Sequence, residues 1–278
     1  MPVLPQELID HIIDYVGDRD SLRACSLVCS QWSARSRKHL FVQVYFAFAT
    51  DPERWCACVR PGPSGPSSLV ETLVLSKFGS PPTSRPPSSS HLPIFPNATS
   101  HFQSFSALRV LMIWEWYMTT DRVSSMFHSF GPSLENVARL TLGRILIHPA
   151  TFAMFISHFP RLDALSIITI GFPRALVPTG DSHRETCVEI VPTHPRGKFH
   201  ASGDPACRVP KEAFEAITVL EPRFHRITLE NIKYNAWREY WPLVVECGGS
   251  LEELFIFVRE TGECWSGLIS ISDHMSLT

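Results

Sequence analysis

The sequence predicts an α/β protein in which three short N-terminal helices precede an irregular solenoid of strand–helix units with a parallel sheet. Three observations support this fold class. Apolar residues recur at helical spacing near the N-terminus, a strand-like motif L-x-x-L-x-[LI] recurs farther along the chain, and helical patterns lie between copies of that motif. Because each unit exposes an apolar face that only its neighbours can cover, we expect the units to stack side by side.

The first helix is expected to begin at Pro5, since a proline in the first turn lacks only an N–H that would be unsatisfied there anyway. Gly17 is expected to end this helix, and Asp18 or Asp20 can cap the next one. The apolar positions of the first helix recur at i, i+3 and i+4 spacing. They are Leu8, Ile9, Ile12, Ile13 and Val16.

A second helix carries the apolar residues between Leu22 and Cys29, and a third, from about Gln31 to Leu40, carries Trp32. The basic cluster from Arg35 to His39 is interpreted as a solvated face of the third helix. Three short helices in roughly forty residues cannot bury all their apolar groups among themselves. We therefore expect a partner to cover part of their surface.

This arrangement resembles the F-box. The resemblance lies in Leu4-Pro5-x-Glu7-Leu8, Ile12, Asp20-x-Leu22, Cys25-Ser26-Leu27-Val28-Cys29, Trp32 and Leu40-Phe41. F-box proteins dock on the Skp adaptor of cullin-RING ubiquitin ligases, and this residue pattern is similar to that of F-box proteins from mushroom-forming fungi. The resemblance implies adaptor contacts at Leu4, Pro5, Leu8, Ile12, Leu22, Leu27, Val28 and Trp32. The alternative is that these residues only form the core of a small helical bundle.

Between the third helix and residue 104, the sequence predicts two strands, a short helix and a long loop. Residues 42–49 and 69–75 are rich in β-prone residues, and residues 51–59 are interpreted as the helix. Residues 76–104 include the segment PPTSRPPSSS and few apolar groups to offset ordering entropy. We therefore predict a mobile loop over 76–104.

The recurring apolar motif has the spacing of a repeat. Leu111, Leu140 and Leu165 lie about 29 and 25 residues apart, close to the ~20–29-residue period of leucine-rich repeats. The stretch 159–167 is also similar to the repeats that follow the F-box in those fungal proteins. The consensus asparagine is absent, and the long gap between Leu165 and Ile227 contains a second predicted mobile loop, 171–210.

Helices are expected between the strand motifs, over residues 151–159 and 236–247, with Pro242 bending the latter. The chain is divided into an F-box domain, 1–42, and an irregular leucine-rich-repeat-like domain, 43–278. Because the chain stops soon after the last motif with no evident polar cap, we expect either a short family member or a truncated chain.

The sequence contains no motif that indicates catalysis. Cys187, His194, His200 and Cys207 are too widely spaced for the usual zinc pairs. No Gly-x-Ser-x-Gly elbow and no glycine-rich phosphate loop occurs. We therefore predict no catalytic residue, metal or cofactor. A metal-dependent enzyme that uses the segment 187–207 is kept as a remote alternative.

Composition restricts the classes of partner and the compartment. A net charge of −2 does not favour binding to nucleic acid or anionic lipid. No run reaches the ~18 apolar residues of a membrane helix, and the N-terminus lacks the layout of a signal peptide. We therefore expect a cytosolic or nuclear protein with reduced cysteines.

Three aromatic residues that follow a predicted repeat strand, Trp114, Trp116 and Tyr117, are candidates for target binding. The alternative is that these rings fill the core. The resemblance implies a substrate-recognition subunit of a Skp–cullin–F-box ubiquitin ligase, which acts by holding a target near the charged conjugating enzyme. The alternative within this class is an adaptor-bound scaffold that joins no cullin.

Overall fold

The structure of the chain, a computed structural model, describes residues 4–47, 50–60, 62, 65–76, 102–171, 196–202, 211–232, 237–259 and 264–270. In these ranges three N-terminal helices precede alternating strands and helices whose strands share one sheet. The predicted α/β class with a parallel sheet is confirmed.

The N-terminal bundle consists of α1 (Gln6–Asp14), α2 (Arg19–Val28) and α3 (Ser30–Phe41). Asp18 caps α2, since its carboxylate accepts a 2.7 Å hydrogen bond from the Ser21 amide. The extended residue Cys29 alone separates α2 from α3. The bundle has its own small core of buried apolar side chains, namely Ile9, Ile13, Leu22 and Leu40.

The sheet contains ten strands in the described part of the chain. They are β1 (Gln43–Phe46), β2 (Thr72–Ser76), β3 (Val110–Trp114), β4 (Tyr117–Met118), β5 (Arg139–Ile147), β6 (Ala164–Gly171), β7 (Arg196–Ser202), β8 (Arg223–Ile232), β9 (Glu253–Arg259) and β10 (Cys264–Ser270). The spatial order is β1-β2-β3-β5-β6-β7-β8-β9-β10, and β4 pairs with β5. All pairs are parallel except β9–β10.

Helices follow several of the strands. They are α4 (Asp51–Cys58), α5 (Thr120–Phe130), α6 (Pro149–Ser157), α7 (Lys211–Thr218) and α8 (Trp237–Glu246), and short 3₁₀ turns occupy Pro66–Leu69 and Gly131–Asn136. Successive helices pack on each other, α5 on α6, α6 on α7 and α7 on α8. The predicted helices at 51–59, 151–159 and 236–247 are thus confirmed, and Pro242 lies inside α8.

The large core lies in two rows of side chains that cross the sheet in register. One row holds Val44, Leu73, Leu111, Leu140, Leu165, Phe199, Ile227 and Leu254. The next holds Phe46, Leu75, Ile113, Leu142, Ile167, Ala201 and Leu229. All of these side chains are buried, whereas most residues that alternate with them are part-exposed. The recurring motif therefore marks equivalent positions of stacked units.

The loop predicted over 171–210 is wrong for residues 196–202, which form β7. Phe199 and Ala201 occupy the two core rows between β6 and β8, so a full unit fills what the sequence shows as a gap. The 76–104 prediction is likewise wrong at its end, because Phe102 is fully buried. The remainders, 77–101, 172–195 and 203–210, lie outside the described residues.

The bundle continues directly into the sheet, with Val42 as the single residue between α3 and β1. The Val42 amide donates to the Lys38 carbonyl at 2.9 Å. The Val42 carbonyl accepts hydrogen bonds from the amides of Glu71 and Thr72, each at 2.9 Å. Beside this joint, Phe41 of the bundle packs edge-to-face on Trp55 of α4, with ring centroids 6.0 Å apart. The two cores therefore meet at a well-bonded joint.

Candidate functional site

The first helix has two apolar sides. Ile9 and Ile13 point into the bundle core, whereas Leu8 is 50% exposed and Ile12 is 45% exposed. Consecutive residues of an α-helix differ by about 100° in direction, so a run of adjacent apolar pairs cannot face a single core. The second side of α1 is therefore an apolar surface that the described chain leaves open.

The end of α2 adds to this surface. Leu27 is 85% exposed and Val28 is 63% exposed. Burying one such side chain fully is worth about 1.5–3 kcal/mol, so a cluster of them at the surface favours a partner.

Leu4 and Leu8, at the start of α1, lie near the end of α2. The Gln6 side chain donates to the Gln31 carbonyl at 3.3 Å, which places the start of α1 beside the start of α3. Val28, the last residue of α2, precedes the start of α3 by two positions. We call the exposed apolar residues of α1 and α2, together with Leu4, the bundle face. They are Leu4, Leu8, Ile12, Leu27 and Val28.

Three of the eight residues predicted to contact the adaptor are not part of the bundle face. Leu22 is only 6% exposed and belongs to the bundle core. Its predicted contact with the adaptor stays a prediction. Trp32 is part-buried against the same core, and Pro5 is exposed at the start of α1.

One exposed residue of α1 was missed in the sequence. Tyr15 follows directly on α1 and is 79% exposed, and its ring packs edge-on against His11 at 5.0 Å. The sequence contained a signal for its exposure. Tyr15 lies three residues after Ile12 and seven after Leu8, and this spacing places all three on one side of a helix.

Polar contacts fix α1 against α3. Arg35 donates two hydrogen bonds to the Asp14 carboxylate, at 2.6 and 2.5 Å, and the His39 ring lies 2.7 Å from the same group. The hydrogen bonds from Arg35 and then from His39 hold the pKa of Asp14 well below its ordinary value. The interpretation of the basic cluster as a solvated face is thus wrong for Arg35 and His39, although Arg37 and Lys38 are exposed.

The three aromatic candidates for target binding have different surroundings. Trp116 is 1% exposed and belongs to the large core, so its assignment to a binding surface is wrong. Trp114 is part-exposed on the side of the sheet that the core rows do not use. Tyr117 is also part-exposed, and the Arg122 guanidinium lies 6.0 Å from the centre of its ring.

In the described ranges, no group of His, Cys, Asp and Glu side chains has the geometry of a metal site. His200 lies on β7 with its Nδ1 3.0 Å from the Ser166 hydroxyl. The other three candidates, Cys187, His194 and Cys207, lie outside the described residues. Within those same ranges no helix is both long and apolar enough to span a bilayer.

Comparison with known families agrees with the geometry of the bundle. Residues 1–47 match the model of the F-box-like family. Domains of this class are generally non-catalytic adaptor modules, and the match suggests a Skp-type partner for the bundle. No curated protein matches the chain.

Proposed function

We propose that this chain is the target-recognition subunit of a Skp–cullin–F-box ubiquitin ligase. The observation that supports the proposal is the bundle face on a domain of the F-box-like class, where Leu8, Leu27 and Val28 are exposed. Apolar side chains at this density gain free energy when a partner removes them from water. A Skp adaptor is the partner that this class of domain suggests.

The contribution of the chain to ubiquitin transfer is proximity. The F-box-like domain holds the adaptor, and the repeat region, which we propose to be leucine-rich-repeat-like and related to that of fungal F-box proteins, holds a target. Keeping the target lysine near the charged conjugating enzyme raises its effective concentration without a catalytic residue in this chain. We propose that this takes place in the cytosol or the nucleus.

The test is binding of the purified full chain to purified Skp adaptor. The double variant Leu27→Ser/Val28→Ser removes two exposed apolar side chains from the bundle face. We expect at least about a hundredfold loss of affinity, since buried interface anchors contribute about 2 kcal/mol or more each. Isothermal titration calorimetry gives the dissociation constants.

The matched control is Val219→Ser/Val245→Ser, two valines that are 58% and 53% exposed near the ends of α7 and α8. We expect this control to bind the adaptor like the wild type. A folded wild-type chain without adaptor affinity, or equal binding by the Leu27/Val28 variant, contradicts the proposal. Co-purification of a cullin with the adaptor complex separates a ligase subunit from a scaffold that joins no cullin.

A further inference from the structure

The side of the sheet opposite the core rows carries its own ordered rows of residues. One row holds Gln43, Thr72, Val110, Arg139, Ala164, Lys198, Arg226 and Glu253, and the next holds Tyr45, Val74, Met112, Thr141, Ser166, His200, Thr228 and Phe255. We call this side the open face, because most of these side chains are exposed or part-exposed. Its composition changes along the sheet from apolar to basic and polar.

Two cations on the open face have no partner. Arg139 and Lys198 are both exposed, and neither has an ion pair or side-chain hydrogen bond in the described residues. They lie on either side of Ala164 in register. Since neighbouring strands are about 4.8 Å apart, their backbones are separated by about 10 Å.

Two other arginines of the sheet are paired with carboxylates. Arg226 is paired with Glu253, and Arg144 is paired with Glu115 at 3.3 Å. The Arg226 hydrogen bond is the main cause of the lowered pKa of Glu253, and Lys198 contributes only a weaker charge effect. Asp163 is exposed and directly precedes Ala164, and its backbone carbonyl accepts a 2.7 Å hydrogen bond from the Lys198 amide. Among the described residues, Arg139 and Lys198 are therefore exposed cations without a paired carboxylate.

The space between the two cations suits a carboxylate. Its floor is Ala164, whose single methyl group leaves room above the sheet. The adjoining row places the Thr141 and Ser166 hydroxyls beside this space, and the Ser166 hydroxyl lies 3.0 Å from His200 Nδ1. Hydrogen bonds from charged or hydroxyl donors to a carboxylate are the stronger kind.

An apolar area adjoins this basic strip on the β1–β3 side. Met112 and Trp114 on β3 are part-exposed, and Tyr45 on β1 is 55% exposed. The Trp114 ring lies over Gly143 of β5, since a Cβ on that glycine would come within 2.1 Å of it. Large rings at the surface beside a polar strip are typical anchors for a bound chain.

We propose that the open face binds an extended acidic segment of the target protein. A large apolar side chain of that segment packs on Met112 and Trp114, and an Asp or Glu carboxylate lies between Arg139 and Lys198. β3 and β6 are two strand spacings apart, about 10 Å, and an extended chain rises about 3.3 Å per residue. The apolar and acidic residues of the target are therefore about three positions apart. This inference rests on the proposed function, for which it names the class of target.

The first test selects a phage-displayed library of randomised ten-residue peptides on the full-length chain. We expect selected peptides to be enriched in Asp or Glu about three residues from Leu, Phe, Met or Trp. The charge-reversed variant Arg139→Glu/Lys198→Glu is used in a parallel selection and should lose the acidic preference. A lack of acidic enrichment on the wild type, or the same enrichment on the variant, overturns the inference.

The second test measures affinity for a selected peptide and for its copy with Gln in place of each acidic residue. We expect the Gln copy to bind the wild type at least about tenfold more weakly, because charge-assisted hydrogen bonds are lost. The control is Arg37→Glu/Lys38→Glu, which makes the same change in net charge on exposed positions of α3. This control should bind the acidic peptide within twofold of the wild type, and equal losses in both double variants overturn the inference.

Trp114→Ala gives an independent check, since it should reduce selection of the large apolar residue while the acidic preference remains. Thermal unfolding of each variant confirms that it is folded. Adaptor binding is measured on the same samples. Intact adaptor binding without acidic peptide selection overturns this inference alone, whereas acidic peptide binding without adaptor binding overturns only the proposed function.

Discussion

Gly143 determines where the Trp114 ring lies. The two residues are register partners on β5 and β3, and a Cβ on Gly143 would come within 2.2 Å of two ring carbons of Trp114. No side chain larger than hydrogen fits there unless the ring moves. A single glycine therefore controls an aromatic residue of the open face, which the sequence alone does not reveal because the two residues are 29 positions apart.

We expect Gly143→Ala to lower the free energy of unfolding by about 1–3 kcal/mol, the usual cost of overpacking. It should also push the Trp114 ring into water and shift tryptophan fluorescence to longer wavelength. Chemical denaturation followed by fluorescence measures both effects. Thr141→Ala, a part-exposed neighbour on the same strand, is the control. Unchanged stability together with unchanged emission would contradict this account.

The Asp14 carboxylate gives the bundle a dependence on pH. Its pKa is lowered in the folded chain, first by the Arg35 hydrogen bonds and then by His39, from an ordinary value of 3.8. A lowered folded pKa means that the stabilisation is complete above the ordinary value. It is lost as pH falls below that value towards the folded pKa.

We therefore expect Asp14→Asn to destabilise the chain at pH 7, with a difference from the wild type that shrinks as the pH is lowered below about 4. Thermal unfolding of both proteins across this range measures the difference. Glu135→Gln, an exposed carboxylate far along the chain, is the control and should show no such convergence. A difference that stays constant down to acidic pH would show that Asp14 acts through packing instead of charge.

At the scale of elements, α1 shows what sequence patterns can and cannot establish. Helical spacing correctly predicts that Leu8, Ile9, Ile12 and Ile13 lie on a helix. It does not determine which of them face the bundle core, because two pairs of adjacent apolar residues cover more than one side of the helix. Packing against Leu22 and the other residues of the bundle core makes that choice.

Two neighbouring isoleucines of α1 provide a matched pair. Ile13→Ala removes a fully buried side chain, and we expect it to lower the free energy of unfolding by about 2–5 kcal/mol. Ile12→Ala should change stability by less than about 1 kcal/mol yet weaken adaptor binding. Chemical denaturation and calorimetry with the adaptor measure the two effects. Similar stability losses in both variants would contradict the two-sided reading of α1.

β7 shows why a strand can be missed in the sequence. Polar and apolar residues alternate in Lys198, Phe199, His200 and Ala201, but Phe199 is the only large apolar residue among these four, so the alternation is weak. A register shift at Gly197, whose φ is +90°, interrupts the start of the strand. A side chain at that position would come within 1.8 Å of the Asp163 carbonyl oxygen. The contribution of the strand becomes visible only when β6 and β8 lie on either side of it.

At the scale of the whole molecule, stacking of units fixes the fold more firmly than any single motif. The apolar positions from Val44 to Leu254 form one continuous row across eight strands. Their spacing along the chain predicted most of the row. The apolar residues of the bundle face were also named from the sequence, and their contact with an adaptor stays a prediction. The open face depends on contacts between strands far apart in sequence.

The joint between the bundle and the sheet allows a test at this scale. Inserting four residues, Gly-Ser-Gly-Ser, between Val42 and Gln43 breaks the direct continuation of α3 into β1. Under the proposed function, we expect unchanged adaptor affinity but slower transfer of ubiquitin to a bound target, because a loose tether lowers effective concentration. A reconstituted ligation assay measures the rate. An insertion of the same residues between Gly248 and Gly249 is the control and should leave the rate unchanged.

Val42 has a mechanical consequence for the proposed ligase. Its amide and its carbonyl are both hydrogen-bonded, and Phe41 packs on Trp55, so the joint restrains the bundle relative to β1 and β2. Under the proposed function, we expect the two halves to move together as one arm. In that case the length of the arm helps to determine which lysine of a target receives ubiquitin. The sequence that the arm binds would not decide this alone.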